Sequence, residues 1–411
     1  MPAPCLTLKS LWSLYFQAQD LLTTGAHSTA AAQFTQVAEA RVCRATGAAK
    51  SAAEEPNPLV ARAQVGLSCC YLEQGLLSEA LSAVDAALVA EPQNVDALCQ
   101  KAVIQGLRGN RSDARALLDL AVTLHPHSAR AHKELGYFYL QDDELDEAIA
   151  ECRIAVKCDP GFDLAHVELA VALGRTGEFD EAIREMCRAI RLTPDNPEYY
   201  FSLATLLREA ERPAEARIAL HDGLRLAPGH RDILHSLAQL LLEQGEAEQA
   251  IQCAQQIIRS HQNSFSARDL LGAAYLQMGR VNEALRMADQ MVQLCPLDPS
   301  NHFKKGVLFH QQGMLREAQE EFIRVVQLGP DTELAEEAAH ALHHMDNFQM
   351  RQILLLAAED RVFRTKLRRD CGLAAEERGF HLSEAGLAAL QTLDLDGLGY
   401  LGAEMTSIHY H

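Results

Sequence analysis

The feature that most constrains this chain is a period. Pro92, Pro126, Pro160, Pro194, Pro228, Pro296 and Pro330 are separated by 34 residues or by twice that number. Written in 34-residue rows from Ala61 to about Thr332, the sequence gives eight rows with three telling columns. One column is alanine throughout: Ala80, Ala114, Ala148, Ala182, Ala216, Ala250, Ala284 and Ala318. A second is always small: Ser68, Ala102, Gly136, Ala170, Ala204, Ala238, Gly272 and Gly306. A third, at mid-row, holds Gly75, Gly109, Gly177, Gly245, Gly279 and Gly313, with Asp143 and Glu211 in the remaining rows. A fixed period of this length means stacked copies of one supersecondary unit, none of which can bury its apolar face alone.

Each row reads as helix, glycine turn, helix and a proline stop. Starts are marked by Asn94, Ser128, Asp163, Ser264 and Asp331, and by Asn196-Pro197 and Asp298-Pro299 with proline in the first helical position. Short side chains let the paired helices approach closely. A composition of 48% hydrophobic but only 6% aromatic residues, with Trp12 the one tryptophan, suits such packing. The fold class is all-α.

Leu135-Gly136, Tyr139, Ala148, Ala155 and Pro160, and again Leu271-Gly272, Tyr275, Gly279, Ala284 and Pro296, resemble the tetratricopeptide repeat. The resemblance covers 61–332 and implies a right-handed superhelical solenoid of antiparallel helix pairs, about eight to nine repeats long. Glu211 at the turn, Gly223 where alanine is usual and Gln262 in place of the closing proline depart from it, and predict a looser stack around 209–263.

Outside the eight rows the pattern weakens. Residues 1–60 read as a degenerate repeat or cap and a linker: Gly25 at a turn, Ala30 and Phe34 at the expected offsets, a second helix running on through Ala38, Val42 and Ala45, then a linker from Gly47 to Pro58. Residues 333–347 read as a capping helix, ending near Met345. Residues 348–411 read as a small helical C-terminal module with helices at 349–358, 360–371 and 383–393. Within it Phe363, Arg364, Leu367, Gly379, Leu382, Ser383, Leu387, Leu390 and Leu393 resemble the helical leader modules of ribosomally made peptide natural products.

Chemistry is sparse. Gly397, Gly399 and Gly402 match a phosphate-loop spacing but follow no strand, so no nucleotide site is expected. Asp394 and Asp396 hint at a calcium loop, whose twelfth ligand is missing. His340, His343 and His344 share a helix face without the acid of a zinc protease, and His409 and His411 end the chain. No cofactor and no metal are expected, and no enzyme activity. Arg361, Arg364, Lys366, Arg368 and Arg369 read as a solvated helix face opposite Phe363 and Leu367. With 37 basic against 56 acidic residues the net charge is −19, which opposes nucleic acid as partner. No apolar run approaches the roughly 20 residues of a membrane span, and no signal sequence stands out. The eleven cysteines follow no disulfide framework and read as reduced thiols, placing the protein in the cytoplasm. Oligomeric state stays open.

The solenoid surface remains. In the resembling family the first helix of each unit lines a concave groove, exposing the second, fifth, ninth, twelfth and thirteenth columns. That implies a partner-binding set of Val65, Cys69, Leu72, Val103, Lys133, Tyr137, Leu140, Val167, Val171, Phe201, Arg208, Leu242, Phe303 and Val307. The groove reads as apolar for five units and mixed beyond. Only Lys133 fits the basic clamp of chaperone-tail binders. The sixth column, Gly66, Gln100, Glu134, Glu168, Ser202, Ser236, Leu270 and Lys304, is not the asparagine ladder of glycosyltransferase-linked repeats. The expected function is a non-enzymatic scaffold or adaptor that binds a protein or peptide partner in this groove. The alternative is a C-terminal module that serves a peptide-modifying enzyme as its recognition segment, with the repeats as carrier.

Overall fold

The turn column decides how each row folds. Its glycines hold φ between +69° and +85°, the left-handed value that ends a first helix and aims the chain back along it. Asp143 and Glu211 adopt the same conformation, at +63° and +57°, so the turn is kept where the glycine is not. The structure is a computed structural model and describes residues 5–42 and 57–393.

The chain divides between Leu226 and Ala227 into two compact units. The first contains α1 (Leu8–Thr23), α2 (His27–Glu39), α3 (Val60–Glu73), α4 (Leu77–Ala90), α5 (Val95–Leu107), α6 (Arg111–Leu124), α7 (Ala129–Gln141), α8 (Leu145–Cys158), α9 (Asp163–Thr176), α10 (Phe179–Leu192), α11 (Pro197–Glu209) and α12 (Pro213–Leu226). The second contains α13 (Arg231–Glu243), α14 (Ala247–Ser260), α15 (Phe265–Gln277), α16 (Val281–Leu294), α17 (Pro299–Gln311), α18 (Leu315–Leu328), α19 (Glu333–Glu359), α20 (Arg361–Arg369), α21 (Cys371–Glu376) and α22 (Glu384–Gln391). In both units consecutive helices pack as antiparallel pairs, and each pair packs on the next. The only strands among the described residues are β1 (Cys5–Leu6) and β2 (Arg41–Val42), paired in parallel.

The eight alanines of the invariant column are all essentially inaccessible to solvent. The small column explains itself at Gly136, where a Cβ would stand 2.5 Å from Cys152 Sγ, and at Gly306, where it would stand 2.9 Å from the Phe322 ring. No larger side chain fits between those paired helices.

Each closing proline leaves a carbonyl that needs a donor. After Pro126, Pro160, Pro194 and Pro296 the fourth column supplies one, whereas the Pro228 carbonyl accepts from Gln256 Nε2 at 2.6 Å. His132 Nε2 donates to the Pro126 carbonyl at 3.0 Å, His166 to Pro160 at 3.2 Å and His302 to Pro296 at 3.0 Å. The Tyr200 hydroxyl donates to the Pro194 carbonyl at 3.1 Å. Arg268 reaches the Gln262 carbonyl at 2.6 Å, in the unit whose proline is absent. In the three histidine units Nδ1 faces a glutamate nineteen residues on, Glu151, Glu185 or Glu321, at 2.6–2.7 Å. The other five units have Ala83, Leu117, Ala219, Cys253 and Met287 there. A histidine and its glutamate therefore occur together or not at all. The pairing is present in the sequence columns, but its role depends on the proline carbonyl the histidine serves.

Several expectations need correction. Asn94, Ser128, Asn196, Ser264 and Asp298 cap their helices, but the cap of α19 is Thr332 and not Asp331. Asp163 sits inside the first turn of α9 and not before it, because its carboxylate turns away to accept from Thr193 Oγ1 at 2.5 Å and the Tyr199 hydroxyl at 2.9 Å. The second N-terminal helix stops at Glu39; Ala40 is extended, and Arg41–Val42 leave to pair with Cys5–Leu6. The helices expected at 333–345 and 349–358 are one, α19. The helix expected at 360–371 breaks at Asp370, whose carboxylate caps the separate α21. Ala45, the linker from Gly47 to Pro56, the glycines at 397–402, Asp394, Asp396, His409 and His411 lie outside the described residues.

Candidate partner-binding surface

The first helices touch one another as well as their own partners. In the first unit α3 packs on α5, α5 on α7 and α7 on α9; in the second, α13 packs on α15 and α17 on α19. Columns that face away from the second helices therefore run on from helix to helix.

In the first unit Tyr137 and Val171 hold the same column of α7 and α9 and are 43% and 38% exposed. Cys69, Leu72, Val103, Lys133, Val167, Phe201 and Arg208 are half-buried. Two expected surface residues are not on the surface. Val65 is buried in a cluster with Val84 and Ile104, since α5 lies directly over that turn of α3. Leu140 is buried because the end of α9 presses on the end of α7, where Arg175 Nη1 donates to the Leu140 carbonyl at 2.7 Å.

This face is not apolar throughout its first five units. Arg130 bridges Asp96 at 2.9 Å and Gln100 at 3.2 Å. Lys133 pairs with Glu134 at 3.2 Å and lies 5.8 Å from the centre of the Tyr137 ring. Glu168, half-buried on α9, accepts no hydrogen bond and makes no ion pair with any other described residue; burial pushes its carboxyl above the ordinary range, against the field of Lys133. The sixth column places Gln100, Glu134 and Glu168 on successive helices. Its residues are in the sequence, but their half-buried setting is not.

In the second unit Leu242, Phe303 and Val307 are half-buried. Phe303 and Val307 are shared by two hollows. One, of about 410 Å³, is completed by Leu276 and Met291; the other, of about 490 Å³, by Phe322, Met345 and the 57%-exposed Phe348. The wall given by α19 has no place in the repeat columns, so only the Phe303 and Val307 side was legible.

Other groups are quieter. Burial pushes the thiols of Cys99 and Cys152 up to about 12 and that of Cys70 to about 11, which leaves them poor nucleophiles. The His340 and His344 rings lie 6.0 Å apart, and no group of three or more metal-ligating side chains assembles among the described residues. No helix among them is long and apolar enough to cross a membrane. In α20 Phe363 and Leu367 are buried, Arg364 donates to the Ala357 carbonyl at 3.1 Å and Lys366 pairs with Glu377 at 2.5 Å.

Units of 34 residues, each a helix pair joined by a left-handed turn and packed through alanine and small-residue columns, define a helical-repeat protein. Two family models described as tetratricopeptide repeat match the chain, one at 15–95, 108–161 and 167–231 and the other at 207–275. Together they span more than half of it, and the chain belongs to the tetratricopeptide-repeat family. Repeats of this family mediate protein–protein contacts and are typically non-enzymatic scaffolds. Among solved structures the chain is similar to the APC/C hetero-tetramer Cut9-Hcn1 (18% identity, 69% of this chain and 56% of that one, TM-score 0.46). It is also similar to PilW, a type IV pilus biogenesis factor (19%, 52% and 98%, 0.47), and to a tetratricopeptide repeat protein from Parabacteroides merdae (19%, 65% and 99%, 0.43). The chain thus spans little more than half the length of the Cut9-Hcn1 chain it matches. No curated protein matches it at a significant level.

Proposed function

We propose that this chain is a non-enzymatic cytoplasmic adaptor that binds a peptide or helical segment of another protein across its first-helix face. One observation carries the reading: Tyr137 and Val171, one aromatic and one β-branched, stand exposed in the same column of two helices that pack on each other. Apolar side chains left this exposed side by side offer surface to a partner, and an aromatic anchor that becomes desolvated dominates binding energy. The test is affinity capture with the full chain. Phe201→Asp or Tyr137→Ala is expected to weaken capture at least about tenfold, with helical content unchanged.

The C-terminal module is the competing surface. The leader-like reading finds less support, because residues that carry the resemblance, Phe363, Leu367 and Leu390, form the module's own core with Ile353 and Ala357. An enzyme reading those side chains has first to unfold it. Leu373 is 63% exposed on α21 and gives the matching control. Normal capture by the groove variants, with loss of capture in Leu373→Asp, makes the module the working surface instead.

A further inference from the structure

The polar centre of the first unit has an unbalanced charge. It holds Asp96 and Gln100 on α5, Arg130, Lys133 and Glu134 on α7, and Glu168 on α9, joined by hydrogen bonds, an ion pair or their fields. Arg130 is already matched by Asp96 and Gln100. Lys133 is turned to Glu134 and acts on Glu168 only through its field. Arg130 also acts on Glu134 through its field, so two cations serve three carboxylates, Asp96, Glu134 and Glu168, and half-buried Glu168 has no donor among the described residues. A half-buried carboxylate in that condition is a cost to the folded chain unless something supplies a partner. Val171 stands three residues after Glu168 on α9 and Tyr137 three after Glu134 on α7, both exposed, and they offer apolar contact and no donor besides a phenol.

Resting on the groove reading above, we propose that the partner segment brings a cationic side chain, lysine or arginine, to the Glu134–Glu168 pair and lays neighbouring apolar residues on Tyr137 and Val171. An anionic partner meets two carboxylates whose nearby cations, Lys133 and Arg130, are already engaged. An uncharged one leaves Glu168 without a donor and drier than before. A cation restores the balance and lets the contact with Tyr137 include its π face, as Lys133 already does. The segment is amphipathic, with its basic residue three or four positions from apolar ones, so that both fall on one helical face.

The test uses the full chain and a random library of displayed 16-residue peptides, selected at low ionic strength, with affinities then measured by fluorescence anisotropy. Enriched peptides are expected to carry Lys or Arg three or four positions from apolar residues. Glu168→Gln is expected to weaken them at least tenfold, Val171→Asp likewise, and replacing the peptide's cation by Gln to matter for the wild type but not for Glu168→Gln. The melting temperature of Glu168→Gln is expected to be equal to the wild type's or higher, because no internal partner is lost. Peptides weakened by Val171→Asp but indifferent to Glu168→Gln overturn the cation and leave the groove standing. Peptides indifferent to both overturn the groove as well. A Glu168→Gln chain that melts lower and loses all peptides equally, whatever their charge, makes Glu168 a structural residue and overturns the proposal.

Discussion

Glu211 holds a φ of +57° in a column where six other units have glycine, and it does so with a long side chain that gains nothing local from the conformation. A left-handed L-residue is strained by about 1–2 kcal/mol, partly offset in any glycine variant by the freer unfolded chain. Glu211→Gly is therefore expected to stabilise the protein by about 0.5–1 kcal/mol in denaturant unfolding. Asp143→Gly is expected to give little or nothing, because aspartate tolerates this region and its carboxylate pairs with Arg175 at 2.7 Å. The buried His166–Glu185 pair works the other way. His166→Ala strands a carboxylate that keeps only Arg188, at a cost of about 2–3 kcal/mol. Glu185→Ala added to it is expected to cost less than the two changes separately, a coupling a double-mutant cycle measures. Asp163 has a pH signature. Burial opposes its ionisation, but hydrogen bonds from Thr193 and Tyr199 outweigh that and hold its pKa below the ordinary 3.8. Its contribution is thus complete above that value and lost as pH falls through the lower, folded one. The stability gap between wild type and Asp163→Asn should be open at about pH 6 and shrink below about pH 4. At this scale the sequence shows which residue types recur, while roles such as the fourth-column donor become visible only when the carbonyl it serves is in place.

At the scale of the helix pair, one column carries opposite expectations. Gly136→Ala places a methyl 2.5 Å from Cys152 Sγ and 3.3 Å from the Ala148 carbonyl, and is expected to cost about 1–3 kcal/mol by overpacking. Gly272→Ala meets nothing closer than Met287 Cβ at 3.9 Å, so it is expected to stabilise α15 by about 0.5–1 kcal/mol through helix propensity alone. Equal effects from the two substitutions would contradict the packing described for this column. The same scale shows where reading by pattern fails. The Asp346-Asn347 pair looks like a break between two helices, but 333–359 contains neither glycine nor proline and runs on as one. Asp346 is polar because Ser383 docks on it, its backbone N–H at 2.8 Å, and Gln349 alongside exchanges hydrogen bonds with the His381 backbone at 2.7 Å. Long-range contacts of that kind leave no period. The thirty-four-residue units were legible because each repeats the same local conflict between turn, stop and packing; α19 and what lands on it occur once.

For the whole molecule, coupling that passes mainly between neighbouring helix pairs predicts that damage stays local. In Gly136→Ala, hydrogen exchange is expected to lose protection in α7, α8 and α9 and to keep it in α15 to α18. Uniform loss across the chain would show a single cooperative body instead. The proposed adaptor role sits at this scale as well, and it makes a spatial claim: the partner lies on the first-helix face. Photo-cross-linking tests that most directly, with a benzophenone amino acid replacing Val171, which is 38% exposed on α9, or Val89, which is 85% exposed on the second helix α4. The partner is predicted to cross-link from position 171 and not from the more accessible position 89; cross-linking from 89 with none from 171 would contradict it.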